Sequence, residues 1–334
     1  MIRPTIAVLD PFHPKIIETI ADAMPEGWRM NVAADESFEE CRKAVRDADV
    51  LFQMTAPLPP ELLAEAPKLR FIQKLGAGLD SIDLKLCLSR GIGVARLQAG
   101  NSIPVAEHTL LLMLAAYRRL PQLDRETRGG DWNREAARAI SRQMHQKTVG
   151  LVGFGAIGRA VAKLLTGFDV RIVYYDPIHA PKDVESELRV EWLSFAEVLS
   201  QSDIVSLHLP LNAETRHLIN AERLAAMKPG SVLINCARGG IVDETALHDA
   251  LSGGKPAMAA IDTFTTEPPS GSPLLALNQT ILTPHTAGGT VDNFKPVAER
   301  AVRNAELYLT GKELSPLELI VAPERRAATF DVQA

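Results

Sequence analysis

The 334-residue chain is 46% hydrophobic and 23% charged. That is the balance of a soluble globular protein, not of a disordered or collagen-like one, and the length suits two domains at about 150 residues each. Its 36 basic and 41 acidic side chains leave a formal net charge of −5, so the surface does not attract polyanions and nucleic acid is not expected as a main partner.

Short apolar strands alternate with amphipathic helices along most of the chain. Thr5–Leu9, Trp28–Val32, Asp49–Gln53, Arg70–Leu75 and Gly93–Arg96 read as strands, with helices at Pro14–Met24, Phe38–Ala48, Pro60–Glu65 and Ile82–Arg90. A longer helix is expected from Asn101-Ser102, where either side chain can cap it, with Pro104 in its first turn and Glu107 close behind to suit the helix dipole. A second strand series follows at Thr148–Gly153, Val170–Tyr175, Ile204–Leu207, Ser231–Cys236, Ala257–Asp262 and Thr280–Thr283. Helices fill its gaps, notably at Ala156–Leu165, Phe195–Gln201, Ala221–Met227 and Asp243–Ser252. Another long helix is expected from about Val291 to Thr310, stopping at Gly311. Such alternation implies α/β architecture with parallel sheets covered on both faces. The two long helices read as crossings between domains: residues 1–101 begin one domain, 102–289 form an inserted one, and 290–334 return to the first. The stretch Glu313–Ala334 is weakly periodic and reads as an arm or a disordered tail.

Cys41, Cys87 and Cys236 are odd in number and far apart, without a CxxC pair or metal-ligand spacing, which suits a reducing, cytoplasmic compartment and no bound metal. His13, His108, His145, His179, His217 and His248 likewise lack ligand spacing and read as surface or helix-face residues. The amino terminus has no long apolar core behind a basic start, so no signal peptide is expected. The most apolar helix candidate, Thr109–Tyr117, is about half the length that spans a bilayer, so no membrane association is expected. Arg325-Arg326 is too short to be a basic patch.

The stretch from Val149 to Arg159 contains GxGxxG between an apolar strand and a helix rich in Ala, Val and Leu. Gly153 permits the tight turn, Gly155 lets a pyrophosphate approach the backbone, and Gly158 lets helix pack closely on strand. Asp176 stands eighteen residues after Gly158 at the end of the next strand. A carboxylate there accepts hydrogen bonds from both adenosine-ribose hydroxyls and repels a 2′-phosphate, so the expected cofactor is NAD and not NADP. The alternative, an ordinary glycine turn with a surface aspartate, explains neither the context nor the spacing.

Reducing a 2-oxo acid needs a cation for the carboxylate and carbonyl oxygen and an acid for the developing alkoxide. Arg238, Glu267 and His285 each follow a strand of the second series and would project from one edge of its sheet. Taken singly, a solvated Arg, a helix-flanking Glu and a turn His are the commoner outcomes. Their coincidence on one edge of a dinucleotide sheet favours catalysis.

The ordered set GFGAIG, NCARGG, DTFTTEPP and LTPHTAGG resembles the D-isomer-specific 2-hydroxyacid dehydrogenase family. Lys74–Asp83 and Gly100–Leu110 are similar to that family's substrate loop and crossing helix, and the resemblance covers about residues 45–311. It implies a Rossmann dinucleotide-binding domain inserted into a flavodoxin-like substrate domain, both doubly wound. It also implies that Arg238 holds the substrate carboxylate and carbonyl oxygen, that His285 is the acid in reduction and the base in oxidation, and that Glu267 hydrogen-bonds His285. Backbone amides of Gly76-Ala77-Gly78 would grip the carboxylate. Cofactor contacts are implied for Phe154, Gly155, Ala156, Ile157, Asp176, His208, Pro210, Cys236, Ala237, Asp262 and Gly288, beside Gly153 and Gly158 of the turn. A homodimer through the cofactor domains and an interdomain cleft that closes on substrate complete the expectation.

By its own position His208 is open to two readings, a cofactor-edge residue or a strand-end cap. Cys236 reads as a packing residue, not a nucleophile, since no neighbouring base is evident to make it a thiolate. Substrate choice is expected to depend on side chains such as Gln53, Met54 and Thr55. Gln146, Pro104 and Thr286 depart from the family's usual residues without removing a reacting group. The alternative function is an NAD(H)-sensing, corepressor-like binding protein.

Overall fold

The computed structural model of the chain describes residues 3–323, so Arg325-Arg326 and the end of the tail lie outside the described residues. Two compact units emerge: one holds the described residues up to Asn101 and those from Val291 on, the other Ser102–Thr290.

The first unit opens with strands β1 (Thr5–Val8), β2 (Arg29–Val32), β3 (Val50–Gln53), β4 (Phe71–Lys74) and β5 (Gly93–Arg96). All but β2 are almost wholly buried, the pattern of a parallel sheet covered on both faces. Helices Pro14–Ala23, Phe38–Val45, Pro60–Ala64 and Leu84–Ser89 connect them. Their starts are written locally: Ser37 Oγ accepts from the Glu40 amide at 3.4 Å, and Asp83 Oδ1 accepts from the Leu86 amide at 2.9 Å.

The second unit carries β6 (Thr148–Val152), β7 (Arg171–Tyr175), β8 (Val190–Trp192), β9 (Ile204–Leu207), β10 (Val232–Asn235), β11 (Met258–Ile261) and β12 (Thr280–Leu282). They form a parallel sheet of order β12-β11-β10-β9-β6-β7-β8. Chain progression reverses between β6 and β9, which creates the crevice where open α/β sheets bind ligands. Helix Ala156–Leu165 packs on this sheet together with Ser102–Arg118, whose buried face includes Leu112, Met113 and Ala116. Within the apolar stretch Thr109–Tyr117, Met113 is core and Leu111 is exposed.

The chain then returns to the first unit through helix Val291–Leu309 and strand β13 (Leu319–Val321). Tyr308 of that helix stacks on Phe71 at 4.4 Å between ring centroids. Gly93 of β5 lies beneath it, where a Cβ would come within 2.4 Å of the ring. Strand β13 pairs antiparallel with β5, giving the sheet order β13-β5-β4-β3-β1-β2. This corrects the expectation of an arm or disordered tail for the described residues up to 323. The reason is nonlocal: Glu318 is buried at the start of the strand, where its Oε2 accepts from Asn304 Nδ2 at 3.1 Å, and Arg300 pairs with its other oxygen.

Three further expectations need correction. Neither Asn101 Oδ1 nor Ser102 Oγ caps the helix Ser102–Arg118: both are buried without a hydrogen-bond partner among the described residues. Glu107 lies beyond that helix's first turn, where the dipole's effect has faded. The spacing also missed helices Leu120–Arg128, Arg134–Ile140 and Lys182–Leu188 and the edge strand β8. Gln146, standing where glycine is usual, has a φ of +57°, the left-handed region that glycine tolerates most easily.

Candidate active site

The glycine turn closes at the β6/β9 crevice. Gly153 has a φ of +95°, and a Cβ there would lie 2.4 Å from the carbonyl oxygen of His208 at the end of β9. A Cβ on Gly158 would lie 2.4 Å from the carbonyl oxygen of Gly153. Both are therefore glycine for reasons of space. Gly155 is different: it caps helix Ala156–Leu165 without a side-chain bond, and a Cβ there meets nothing within 4 Å. Open space before the uncapped amides of a helix start is where an anionic group is best accommodated. Phe154 stacks on the buried Tyr174 at 4.1 Å and fixes the turn from below.

Asp176 follows β7. Its Oδ2 accepts from the Phe154 amide at 2.8 Å and its Oδ1 from the Ile178 amide at 3.0 Å. The carboxylate is thus pinned beside the glycine turn, and each oxygen keeps capacity to accept from a ribose hydroxyl. Across the crevice, His208 Nε2 is shut off from solvent and has no hydrogen-bond partner among the described residues. Burial pushes its pKa down to about 3, so the ring is neutral at physiological pH. An orphaned ring nitrogen at a switch-point crevice fits a bound partner that supplies the missing hydrogen bond.

Around the crevice, Pro210 is exposed and its carbonyl accepts from Thr215 Oγ1 at 2.7 Å. The Ala237 amide is bonded to Asn235 Oδ1 at 3.0 Å, Cys236 is buried, and Gly288 is part-exposed. Burial raises the Cys236 thiol to about 12, consistent with packing and not with a thiolate nucleophile.

Three loops at the carboxyl edge of β10, β11 and β12 carry the candidate side chains Arg238, Glu267 and His285. His285 Nδ1 lies 2.7 Å from Glu267 Oε2. Glu267 Oε1 accepts from the Phe264 amide at 2.9 Å, so the carboxylate is held at both oxygens. Burial pushes its pKa up, but the hydrogen bonds from His285 and Phe264 and the charges of His285 and Arg238 outweigh that, leaving it below 4.5. With Nδ1 committed to Glu267, Nε2 is the ring atom available to a substrate. Arg238 follows β10 and donates from Nη1 to the Ala237 carbonyl at 2.7 Å. Its loop presses on the Glu267 loop so closely that a Cβ on Gly239 would lie 1.9 Å from the backbone of Phe264.

Asp262, fully buried after β11, builds the histidine loop. It accepts from Thr283 Oγ1 at 2.6 Å and from the Thr286 and Ala287 amides at 3.0 Å each. Its carbonyl accepts from the His285 amide at 2.8 Å. These bonds hold His285 at a φ of +52°, a conformation few non-glycine residues adopt unaided. His108 is therefore more than a helix-face residue, since its Nε2 lies 3.2 Å from Thr283 Oγ1 and 3.6 Å from Asp262 Oδ1.

In the first unit, Asp10 occupies the equivalent strand crevice. Its carboxylate accepts from the Met54 and Thr55 amides at 2.6 Å each and from the Ala56 amide at 2.9 Å. Lys74, buried at the end of β4, donates to Gln53 Oε1 at 2.9 Å, to Ser81 Oγ at 3.1 Å and to the Met54 carbonyl. Gln53 is thus a buried support that also donates to the Ala56 carbonyl at 2.6 Å, which corrects its assignment as a side chain that chooses the substrate. Thr55 is exposed but its hydroxyl is bonded to Asp10 at 2.9 Å, and Met54 is half-buried. The loop Gly76-Ala77-Gly78 follows β4 and is part-exposed, with the Ala77 carbonyl accepting from Arg96 Nη1 at 3.3 Å. Asp10 and Lys74 were missed because a strand-end carboxylate and a strand-end lysine become informative only once the neighbouring loops are placed.

Residues 110–287 match the family model described as D-isomer specific 2-hydroxyacid dehydrogenase, NAD binding domain. The chain belongs to that family. A D-3-phosphoglycerate dehydrogenase of Methanocaldococcus jannaschii is 36% identical over 309 residues, covering 92% of this chain and 58% of that protein. The chain thus spans somewhat over half the length of that relative. A glyoxylate reductase of Thermofilum pendens is 41% identical over 281 residues, 83% of each chain. Among solved structures, D-lactate dehydrogenase from Aquifex aeolicus complexed with NAD and lactic acid superposes with a TM-score of 0.83 at 27% identity, over 96% of this chain and all of that one.

Proposed function

We propose that the protein is an NAD-dependent oxidoreductase that interconverts a small 2-oxo acid and its D-2-hydroxy acid. One observation carries the reading. His285 is locked through Nδ1 at 2.7 Å to Glu267, whose carboxylate also feels the charge of Arg238, on the edge of a sheet that also bears the glycine turn.

Nicotinamide supplies or accepts the hydride when bound. Arg238 pairs with the substrate's carboxylate and carbonyl oxygen and stabilises charge that builds on that oxygen. His285 delivers the proton from Nε2 during reduction and removes it during oxidation. Glu267 keeps the ring oriented through Nδ1, leaving Nε2 toward the substrate. Backbone amides of Gly76, Ala77 and Gly78 take the carboxylate. Gly153, Phe154, Gly155, Ala156, Ile157 and Gly158 take the pyrophosphate, Asp176 the ribose hydroxyls, and His208, Pro210, Cys236, Ala237, Asp262 and Gly288 the remaining surface of the cofactor.

Among the described residues no helix is long and apolar enough to cross a membrane and no His/Cys/Asp/Glu cluster could hold a metal. We place the protein in the cytoplasm as a homodimer joined through its cofactor units.

The test is a panel of small 2-oxo acids, including glyoxylate, hydroxypyruvate and 3-phosphohydroxypyruvate, with NADH and NADPH. The chirality of the product is read alongside the absorbance. Turnover with NADH to a D-product is expected, and Asp176→Ala is expected to narrow the preference for NADH over NADPH. Tight NADH binding with turnover of no 2-oxo acid would overturn the enzyme reading in favour of an NAD(H)-sensing protein.

A further inference from the structure

The loop that carries Glu267 is bolted to the segment that carries Arg238 by a carboxylate with no place in the chemistry above. Asp243 caps the helix Glu244–Ser252, with its Oδ1 accepting from the Thr245 and Ala246 amides at 3.1 and 3.0 Å. Glu244 is therefore not needed as the cap. It reaches across to the other loop instead: Oε1 accepts from the Thr265 amide at 2.7 Å and Oε2 from Ser272 Oγ at 2.5 Å. These two bonds grip the 264–272 loop on both sides of Glu267.

A second contact lies at Gly239, next to Arg238. There the backbone is so near Phe264 and Thr265 that a Cβ would fall 1.9 Å from Phe264 C and 2.3 Å from the Thr265 nitrogen. Only five residues separate Arg238 from Glu244, so Gly239 and Glu244 fix one short segment against the Glu267 loop at two points. The Phe264 amide, immediately before these contacts in the chain, donates to Glu267 Oε1 at 2.9 Å, while Oε2 meets His285 Nδ1 at 2.7 Å.

We propose that Glu244 is a positioning residue that registers the arginine segment with the Glu267–His285 pair. The inference rests on the enzyme reading for its effect on turnover, but the clamp itself is independent of it. Glu244 touches neither His285 nor any reacting atom. It sets where Glu267 stands, and Glu267 orients His285 through Nδ1. His285 Nδ1 meets the Glu267 carboxylate, Arg238 lies near enough for its charge to act on Glu267, and the Asp262 carboxylate stands behind the histidine loop, accepting from the Thr286 amide.

The experiment compares Glu244→Ala, Glu244→Gln and Ser272→Ala with wild type. It follows kcat and KM for the 2-oxo acid the wild type turns over best, the Kd for NADH, and the titration of the His285 ring by NMR. Glu244→Ala is expected to lower kcat about tenfold, as misplaced reacting groups do, with the NADH Kd within about twofold of wild type. The pH above which kcat falls is expected to lie lower than in wild type, because Glu267 is no longer held against Nδ1. Glu244→Gln, whose amide oxygen still accepts from Thr265, is expected to restore most of kcat and its pH dependence. A His285 titration and pH–rate profile unchanged in Glu244→Ala would overturn the proposal, whatever happens to Tm. Should Glu244→Ala fail to fold, Ser272→Ala decides: a smaller shift in the same direction upholds the clamp, and none overturns it. A wild type that reduces no 2-oxo acid removes the enzyme reading and leaves the NMR comparison to judge the clamp.

Discussion

At the scale of single residues, the arrangement divides the work between charges that act and charges that hold. Glu267 sits below its ordinary carboxylate pKa of 4.5, since its hydrogen bonds and cationic neighbours outweigh burial, so it is ionised throughout the neutral range. The sign of its effect follows. In the proposed reduction the ring donates a proton, so the rate is expected to fall as pH rises. Glu267→Gln removes the anion hydrogen-bonded to Nδ1, so this fall is expected at lower pH, with kcat reduced at neutral pH. A pH–rate profile that superimposes on wild type would take Glu267 out of the proton path. Asp262 holds. Its oxygens organise the loop that keeps His285 at a positive φ, a duty its buried position explains better than contact with a ligand alone.

At the scale of elements, close approach explains the glycines better than flexibility does. Gly158 lets the helix Ala156–Leu165 come down on the turn that precedes it, and Gly153 lets that turn meet the end of β9. Gly158→Ala places a methyl 2.4 Å from the Gly153 carbonyl oxygen, against backbone that cannot rotate aside. The expected result is a loss of about 1–3 kcal/mol in stability, the range for overpacked sites, with weaker NADH binding because the displaced turn carries the phosphate-facing amides. Thermal unfolding and NADH titration check both parts, and a variant matching wild type in each would show the turn to be looser than it looks. The elements that sequence patterning missed share a cause. Helices Leu120–Arg128 and Arg134–Ile140 bury no residue fully and so carry little apolar periodicity inward. Strand β8 is three residues long at a sheet edge, and β13 exists because β5 offers it an edge and Asn304 satisfies Glu318.

At the scale of the whole molecule, Trp132, Leu120 and Ile140 stand 78%, 53% and 38% exposed on and between those two helices. Large apolar side chains gathered on a surface suit coverage by another protein, and a second copy of this chain is the occupant we propose. Sedimentation is expected to give a dimer of wild type and a weakened one for Trp132→Glu, and a wild-type monomer at micromolar concentration would remove the proposal.

Much of this architecture was legible in the amino-acid order because its signals are local. The β-α alternation, the turn glycines, the carboxylate after β7 and the strand-end placement of Arg238, Glu267 and His285 each depend on neighbours within a few residues, and parallel strands carry them to one edge. The role of Gln53 was misread for the opposite reason: its side chain answers to Lys74 and Ser81, more than twenty residues away, and a strand end looks solvent-facing until those loops close over it. Asp10, Asp262 and Glu244 are likewise ordinary acids in the linear order. What they do arises from amides and hydroxyls delivered by other loops, and burial makes each such bond costly to lose. Local chemistry along the chain was enough to nominate candidates for the reacting groups; holding these side chains in register depends on contacts between distant segments, which exist only after the sheets have formed.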